Sequence, residues 1–336
     1  MRKYSIILPV RNGGVYVKAC VNSILSQTYK DFDFIILDNY STDGTLQWLQ
    51  SLTDNRIKII TSDRSLTIEE NWARIVAVEK NEFMTLIGHD DILYPEFLEI
   101  IDQLIKTNPQ VSLYHTHFNF INANGDIIRS AKAMQNHMDA YEFLKAFLTN
   151  SIDTMGTGYV MRSNDYNEIQ GIPSRYPNLL FADFELWLNL AFKNSVMVAP
   201  QKCFSFRIHK SMTTTSSDKK IHQALEIFFD FLYSIMKKDA KATAIIHEYA
   251  SQFLLFYTKG LAHRLLRTPL IERNQWTVED FINYSKRLAT KLSIQNKYKP
   301  ERIFTLRVAK VIDNHVILRK LYLLFKKIYA KPILKS

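Results

Sequence analysis

Cysteine is nearly absent. Cys20 and Cys203 are the only two in 336 residues, so no disulfide framework or cysteine-based zinc site can be assembled, and a reducing, cytoplasmic setting is expected. Long hydrophobic runs are also missing. No stretch approaches 18 uncharged apolar residues, so no membrane-spanning helix is expected. The first apolar run, Ile6 to Val10, is too short for the core of a secretory signal. Internal repeats and low-complexity tracts are absent. The first strand is followed by Arg11-Asn12-Gly13-Gly14 and not by G-x-G-x-x-G, which excludes a nicotinamide-dinucleotide site of the usual kind.

What is present is a chain rich in core-forming residues. Hydrophobic content is 47%, with 21 Phe and 17 Tyr, enough for one large domain or two smaller ones. The net charge is +10 and is unevenly spread. Residues 301–336 hold nine Lys/Arg against Glu301 and Asp313, so most of the excess sits in the last tenth of the chain. Such a tail points to an anionic surface.

The first third alternates strand and helix. Tyr4 to Val10, Phe32 to Leu37, Arg56 to Thr61 and Glu82 to Gly88 read as strands. Helical spacing occupies residues 15–28, 45–52, 67–79 and 95–107. This alternation predicts an α/β fold with a doubly wound, mostly parallel sheet. Right-handed crossovers put the C-terminal ends of the strands on one rim, where ligands of open α/β sheets bind. Three polar clusters fall there: Pro9 to Gly14, Asp38 to Gly44, and Gly88 to Asp91. The last is an apolar run that stops at two adjacent carboxylates, Asp90-Asp91. Alone it reads equally as a cation site or as a solvated turn capping the next helix.

After residue 110 the pattern changes. Val111 to Phe120 and Asp126 to Ser130 flank Ile121-Asn122-Ala123-Asn124-Gly125 and predict a hairpin. A helix near 139–149, a strand at Thr157 to Arg162, a loop from Gly171 to Asn178, a helix from Asp183 to Phe192 and paired strands around Pro200 follow. Thr213 to Asp218 reads as a polar loop, and everything from Lys219 as helical.

Taken in order, several segments resemble the family 2 glycosyltransferases, whose catalytic domain has the GT-A (Rossmann-like) fold. They are Ser5 to Asn12, Ser23 to Tyr29, Leu37 to Thr45, Asp90-Asp91 with Tyr94 to Leu98, Ala182-Asp183 with Phe184 to Leu188, and Arg207-Ile208-His209. The resemblance covers residues 1–215, leaving 216–336 as a helical C-terminal region. The chain departs from the family pattern at Arg11, often aromatic there, and at Asn39, Gly88 and Ala182, where the family often has acids.

The resemblance implies an inverting, metal-dependent transfer of a sugar from a nucleotide-diphosphate donor to a glycan or lipid-linked acceptor, in cell-surface polysaccharide or glycolipid synthesis. On that basis Asp183 is expected as the general base. Asp91 is expected as the direct ligand of Mn²⁺ or Mg²⁺, with His209 as a late ligand and Asp90 as a helper touching the donor sugar or ribose. Pro9, Arg11, Asp38 and Asn39 are expected around the nucleotide. Arg207, Gly156 and Gly158 are candidate supporting residues, Arg207 by touching phosphate or by buttressing Asp183. Asp43 is expected as a helix cap, Glu185 as solvated or salt-bridged, and Cys20 as core. His89, His115 and His117 have no metal-ligand spacing. The alternative is a non-catalytic subunit of the same fold that binds a nucleotide sugar or glycan.

Residues 316–329 form an amphipathic pattern. Ile317, Leu318, Leu321, Tyr322, Leu324, Phe325, Ile328 and Tyr329 lie within one arc of about 160°, and Arg319, Lys320, Lys326 and Lys327 lie on the other, with Leu323 the exception. This predicts either peripheral contact with the inner face of the cell membrane or a docked terminal helix with solvated lysines. No nucleic-acid-binding motif accompanies the charge.

Overall fold

The computed structural model describes residues 2–209, 218–268, 273 and 276–329. It divides into two compact units, one of residues 1–143 with 152–210, the other of residues 144–151 with 211–336.

The first unit opens with β1 (Tyr4–Val10), α1 (Tyr16–Leu25), β2 (Phe32–Asp38), α2 (Thr45–Gln50), β3 (Ile57–Ile60), α3 (Ile68–Ala73), β4 (Phe83–Leu86), β5 (Ile92–Leu93) and α4 (Phe97–Thr107). Then come β6 (Leu113–Ile121), β7 (Ile127–Ser130), β8 (His137–Asp139), the start of α5 (Ala140–Leu148), β9 (Tyr159–Arg162), α6 (Ser163–Glu168), α7 (Ala182–Ala191) and β10 (Ser195–Arg207). Among the described residues the strands form one sheet in the order β3-β2-β1-β4-β9-β6-β10-β5, with β7 beside β6 and β8 beside β10.

β1, β2 and β4 are buried at every position, as expected of strands covered on both faces by helices. α1 buries Val17, Cys20, Val21 and Ile24 against them, a stripe at helical spacing. α3 opens with a capping box in which Thr67 and Glu70 exchange bonds. The helix expected over 67–79 is shorter and finishes as a 3₁₀ turn over Arg74–Ala77.

The sheet is mixed. β1, β2, β3 and β4 pair in parallel, and so do β6 and β10. β9 runs antiparallel to both β4 and β6. Its N-terminal end therefore arrives at the rim where β1, β2 and β4 finish, and carries Gly156-Thr157-Gly158 there. The expected hairpin is present as β6 and β7. The paired strands expected around Pro200 are instead one 13-residue strand, β10. Its register slips between Ala199 and Phe204, so Pro200 occupies an exposed bulge, where a missing N–H costs no ladder bond.

The second unit is helical: α8 (Asp218–Met236), α9 (Ala240–Arg267), α10 (Val278–Lys291), α11 (Phe304–Asn314) and α12 (Val316–Tyr329). An aromatic cluster of Phe147, Phe228 and Phe253 forms part of its core, with ring centroids 5.3–5.7 Å apart. A buried ion pair, Arg273 to Asp313 at 2.8 Å, closes it elsewhere. Asp313 also accepts from the Val278 N–H at 2.8 Å, fixing the start of α10. Of the polar loop expected at Thr213 to Asp218, only Asp218 lies within the described residues.

Two glycines, Gly158 and Gly171, are demanded by both backbone and packing. Gly158 has φ +87°, and a Cβ there would lie 2.3 Å from the Phe204 ring. Gly158→Ala is expected to lower stability by about 2–4 kcal/mol, the sum of a left-handed-region penalty and overpacking, measured as a lower urea midpoint.

Candidate active site

Two rim loops are tied together by side chains at their tips. The Asn12 N–H donates to Ser41 Oγ (2.9 Å), and Asn12 Oδ1 accepts from the Thr42 N–H (2.8 Å). Gly13 donates to Thr45 Oγ1 (3.0 Å) and Gly14 to Asp43 Oδ2 (3.1 Å). The other oxygen of Asp43 accepts from the Thr45 N–H (3.0 Å). Asp43 is thus not the N-cap of α2, which is Gly44 in a left-handed conformation, but from just before it holds the first N–H of the helix and pins the β1–α1 loop; burial pushes its carboxyl up, and these donors outweigh it and hold it below the usual range. Asn12 and Tyr40 have positive φ. Such non-glycine conformations persist where surrounding bonds over-determine them.

Asp38 ends β2 and is fully buried. Its Oδ2 accepts from the Ser41 N–H at 3.2 Å, while Oδ1 is buried with no partner. An orphaned carboxylate oxygen at a strand end is a vacant acceptor for a ligand N–H or hydroxyl. Asn39 differs. Its amide exchanges two bonds with the Leu66 backbone, at 2.9 and 2.7 Å. It fixes the 62–67 loop, and both ends of its amide are engaged. Arg74 braces the same corner by donating to the carbonyls of Asp38, Ile60 and Thr61. Pro9 is paired within β1 opposite Leu37. Arg11 is exposed on the rim with no partner among the described residues.

The two adjacent aspartates have different surroundings. Asp91 is 1% exposed. Thr157 Oγ donates to its Oδ2 at 2.5 Å, and the Arg207 N–H donates to its Oδ1 at 2.9 Å. Burial, with the neighbouring Asp90 charge adding to it, raises its carboxyl well above the ordinary value. Asp90 is more open and sits 2.6 Å from Nε2 of His209, 119 residues away in the chain. His209, expected as a late metal ligand beside Asp91, is paired with Asp90. Tyr16 packs on His209 at 4.8 Å between ring centroids. A Cβ at Gly88 would fall 2.8 Å from Asp90 Oδ1, so the bare glycine leaves room for that carboxylate.

Arg207 does not reach Asp183 or offer a free guanidinium. It donates to the carbonyls of Asp90 (2.8 Å), Asn122 (3.0 Å) and Ala123 (3.1 Å), and its cationic carbon lies 4.7 Å from the Tyr16 ring centroid. Its burial is the reason: a guanidinium 7% exposed must find several acceptors. Cys20 is core, as expected, and its thiol donates to the Gly88 carbonyl at 3.4 Å.

In the sequence Thr157 stands out only as the middle of a Gly-Thr-Gly bend, yet its hydroxyl is central. It accepts from the Gly88 N–H at 3.1 Å and donates to Asp91, joining the end of β4 to the start of β9. No Cβ clash confines Gly156. The Gly158 carbonyl bonds His115 Nδ1 at 2.8 Å. His115 stacks on Tyr159 at 3.8 Å, and Tyr159 on Trp187 at 4.4 Å. Burial pushes the His115 pKa down to about 3, so it is a neutral packing element. His117 is structural too, bonded to Ala199 O and to the Met134 N–H.

Asp183 is the second residue of α7 and not its N-cap, which is Phe181 in a left-handed conformation. Its Oδ1 accepts from the Phe184 N–H at 2.8 Å. Burial raises its pKa to about 6, against the lowering effect of the backbone donors. Trp187, one turn on, donates to Met155 O at 3.0 Å and stacks on Tyr159. The base candidate is thereby locked to the same 155–159 segment that holds Asp91. Three non-glycine residues with positive φ, Asn178, Leu179 and Phe181, precede it. Glu185 faces elsewhere. It is buried, not solvated, and takes bonds from Arg175 (2.5 and 2.6 Å) and Tyr176 (2.6 Å).

Two residues of the segment Ser23 to Tyr29 take supporting roles that motif order alone does not assign. Gln27 clamps the Tyr94 carbonyl and the Leu98 N–H, and Ser23 accepts from the Leu93 N–H. Ser23 lies on α1 and Gln27 just past its end, a buried amide that must find partners.

The Glycosyl transferase family 2 profile matches residues 5–169. The chain is similar to the glycosyltransferase GlyG of Streptococcus pneumoniae serotype 4, at 25% identity over 36% of this chain and 41% of that protein. It is also similar to WfgD of Escherichia coli, a UDP-Glc:α-D-GlcNAc-diphosphoundecaprenol β-1,3-glucosyltransferase, at 23% identity over 68% of this chain and 86% of WfgD. Less than half of GlyG is spanned. Among solved structures, TarS residues 1–349 of Staphylococcus aureus in complex with UDP-GlcNAc superimposes with a TM-score of 0.67 at 16% identity, covering 92% of this chain and 91% of that one. The fold is that of TarS, a GT-A-type α/β sheet with a helical C-terminal region. The non-catalytic alternative gives way: with a family 2 domain over residues 5–169, this chain is an enzyme, a glycosyltransferase of family 2 of the bacterial type.

Proposed function

We propose that the enzyme moves a sugar, with inversion, from a nucleotide-diphosphate sugar to a hydroxyl of a glycan or lipid-linked glycan, in the synthesis of cell-surface polysaccharide or glycolipid. The observation that carries this reading is the Asp90–His209 pair, two metal-capable groups brought 2.6 Å apart on the rim. WfgD, named for a lipid-diphosphate-linked acceptor, and the UDP-GlcNAc complex of TarS support the choice of substrates.

Each end of the donor finds a counterpart. Asp38 Oδ1 is the acceptor for the nucleoside, with Pro9 beside it and Arg11 free to meet phosphate. Asn39 acts indirectly, by holding the 62–67 loop. Asp90 and His209 fit a divalent ion: they offer a hard carboxylate oxygen and an imidazole nitrogen, both partly exposed, with substrate oxygens and water left to complete the shell. Bound Mg²⁺ or Mn²⁺ would supply neutralisation of the charge gathering on the leaving diphosphate. Asp91 takes the supporting place, since it is buried and each of its oxygens already accepts a bond, from Thr157 and from Arg207. This exchanges the roles expected of the two aspartates.

Asp183 takes the proton from the acceptor hydroxyl. That oxygen attacks the anomeric carbon from the face opposite the diphosphate, the new C–O bond forms as the sugar–phosphate bond breaks, and configuration inverts. A carboxyl with a pKa near 6 is ionised at neutral pH yet more basic than an ordinary aspartate, as general-base work requires. Glu185, fully engaged by Arg175 and Tyr176, is not placed to serve as a second nucleophile. The reaction is assigned to the cytoplasm, at the inner face of the cell membrane, which the chain meets through residues 316–329.

The test is release of nucleoside diphosphate from a panel of nucleotide sugars, with and without Mn²⁺, by the purified enzyme, and the anomeric configuration of the product. Turnover undiminished by a chelator, or retention of configuration, would overturn the reading.

A further inference from the structure

Among the described residues no helix is long and apolar enough to cross a membrane, yet α12 turns its apolar side outward. Ile317, Leu321, Leu324, Phe325 and Ile328 are 54–75% exposed. At 100° per residue they fall within about 100° of arc. The opposite side is the one that touches the rest of the unit. Arg319 donates to the carbonyls of Leu266 and Thr268 at the end of α9, and burial lowers the pKa of His263 with the nearby charges of Lys326 and Arg267 adding to it. A helix docked to complete a core does the reverse and buries its apolar arc. Exposed apolar groups continue on the adjoining α11, where Phe304 and Val311 are more than half exposed.

The charges decide what covers this face. Lys320 and Lys327 project on the flank of the apolar arc, both exposed. In residues 303–329 Asp313 is the sole acid, and it is buried against Arg273. A second copy apposed on the same face would bring lysines against lysines. A nucleic acid would leave the apolar arc without a use. An anionic lipid surface satisfies both parts, taking the apolar side chains into its headgroup boundary and the lysines among its phosphates.

We propose that α12, with the exposed side chains of α11, is a docking surface for a bilayer bearing anionic headgroups, lying in the interface plane and not across it. This deepens the membrane part of the reading above and does not depend on the reaction.

The test is flotation of the full chain with vesicles of phosphatidylcholine alone or with 30% phosphatidylglycerol, without sugar nucleotide or metal, so that failure of the reaction leaves the result intact. Binding is expected on the anionic vesicles, fading as salt rises from 0.1 to 0.5 M. Lys320→Gln with Lys327→Gln should weaken it about thirtyfold, roughly fivefold per lysine. Leu321→Ser with Leu324→Ser should abolish it, with melting temperature unchanged in both variants. Equal binding to neutral and anionic vesicles, no binding to either, or a dimer in light scattering that the leucine variant disperses would overturn the proposal.

Discussion

Asp183→Asn is expected to cut turnover by about 10²–10⁴-fold, the usual worth of a positioned general base, while raising the melting temperature at pH 8. The two effects share one cause. Burial holds the carboxyl at about 6 instead of near 4, so folding favours its protonated form. The stability that the neutral acid brings is complete below pH 4 and is lost as pH rises through 6. At pH 8 the ionised carboxylate costs up to about 3 kcal/mol, since each tenfold change in proton affinity is worth about 1.4 kcal/mol. Asparagine carries no charge to desolvate and keeps an oxygen for the Phe184 N–H. The stabilisation should therefore be seen in thermal melts at pH 8 and vanish at pH 3.5. In the wild type, kcat/KM should rise with pH and level off above an apparent value near 6. A flat profile, or a variant destabilised at both pH values, would remove Asp183 from the role of base.

The second large effect separates the neighbouring aspartates. Asp90→Ala should fold with a nearly unchanged midpoint, because its carboxylate is partly exposed and its partner His209 is partly exposed too. Its turnover should fall about 10²–10³-fold, the loss of several kcal/mol of charge stabilisation, and extra Mn²⁺ should not restore it. Asp91→Ala should instead lower stability by about 2–5 kcal/mol, because the Thr157 hydroxyl and the Arg207 N–H are left buried without an acceptor. Urea titrations beside metal titrations of activity read both. If Asp91→Ala proves stable and metal-blind, the sequence assignment of Asp91 as the ligand is restored.

That contrast shows where the sequence can be read and where it cannot. Strand and helix periodicity is local, and β1, β2 and α4 emerge within a residue or two of their expected bounds. Order and spacing of short motifs suffice to bring Asp38, Asp90, Asp183 and His209 into view. What local pattern cannot carry is which atom is already spent. Asp90 and Asp91 are chemically identical in the chain, and Asp91 is set apart by partners 66 and 116 residues away. Asn39 looks like a ligand group until Leu66 is beside it, and Arg207 looks available until three carbonyls surround it. Pro200 misleads in another way. It signals a turn in most contexts, and only the neighbouring register shows that a bulge absorbs it within a single strand.

The antiparallel strand β9 has a consequence for how the first unit is made. Among the described residues β4 borders only β1 and β9, and β6 meets that half of the sheet only through β9. The parallel set β1 to β4 and the later set around β6 and β10 are therefore two separate half-sheets until Tyr159–Arg162 is inserted between them. During synthesis from the N-terminus, the edge of β4 stays open while some 70 further residues emerge, about 4–14 seconds at ordinary elongation rates. An unpaired edge beside the buried run Phe83 to Leu86 is a template for pairing with another chain. Aggregation of nascent or truncated chains should accordingly be high for chains ending before Tyr159 and fall sharply once Arg162 is included. The four-residue strand that brings the site together is also the closure on which soluble expression turns.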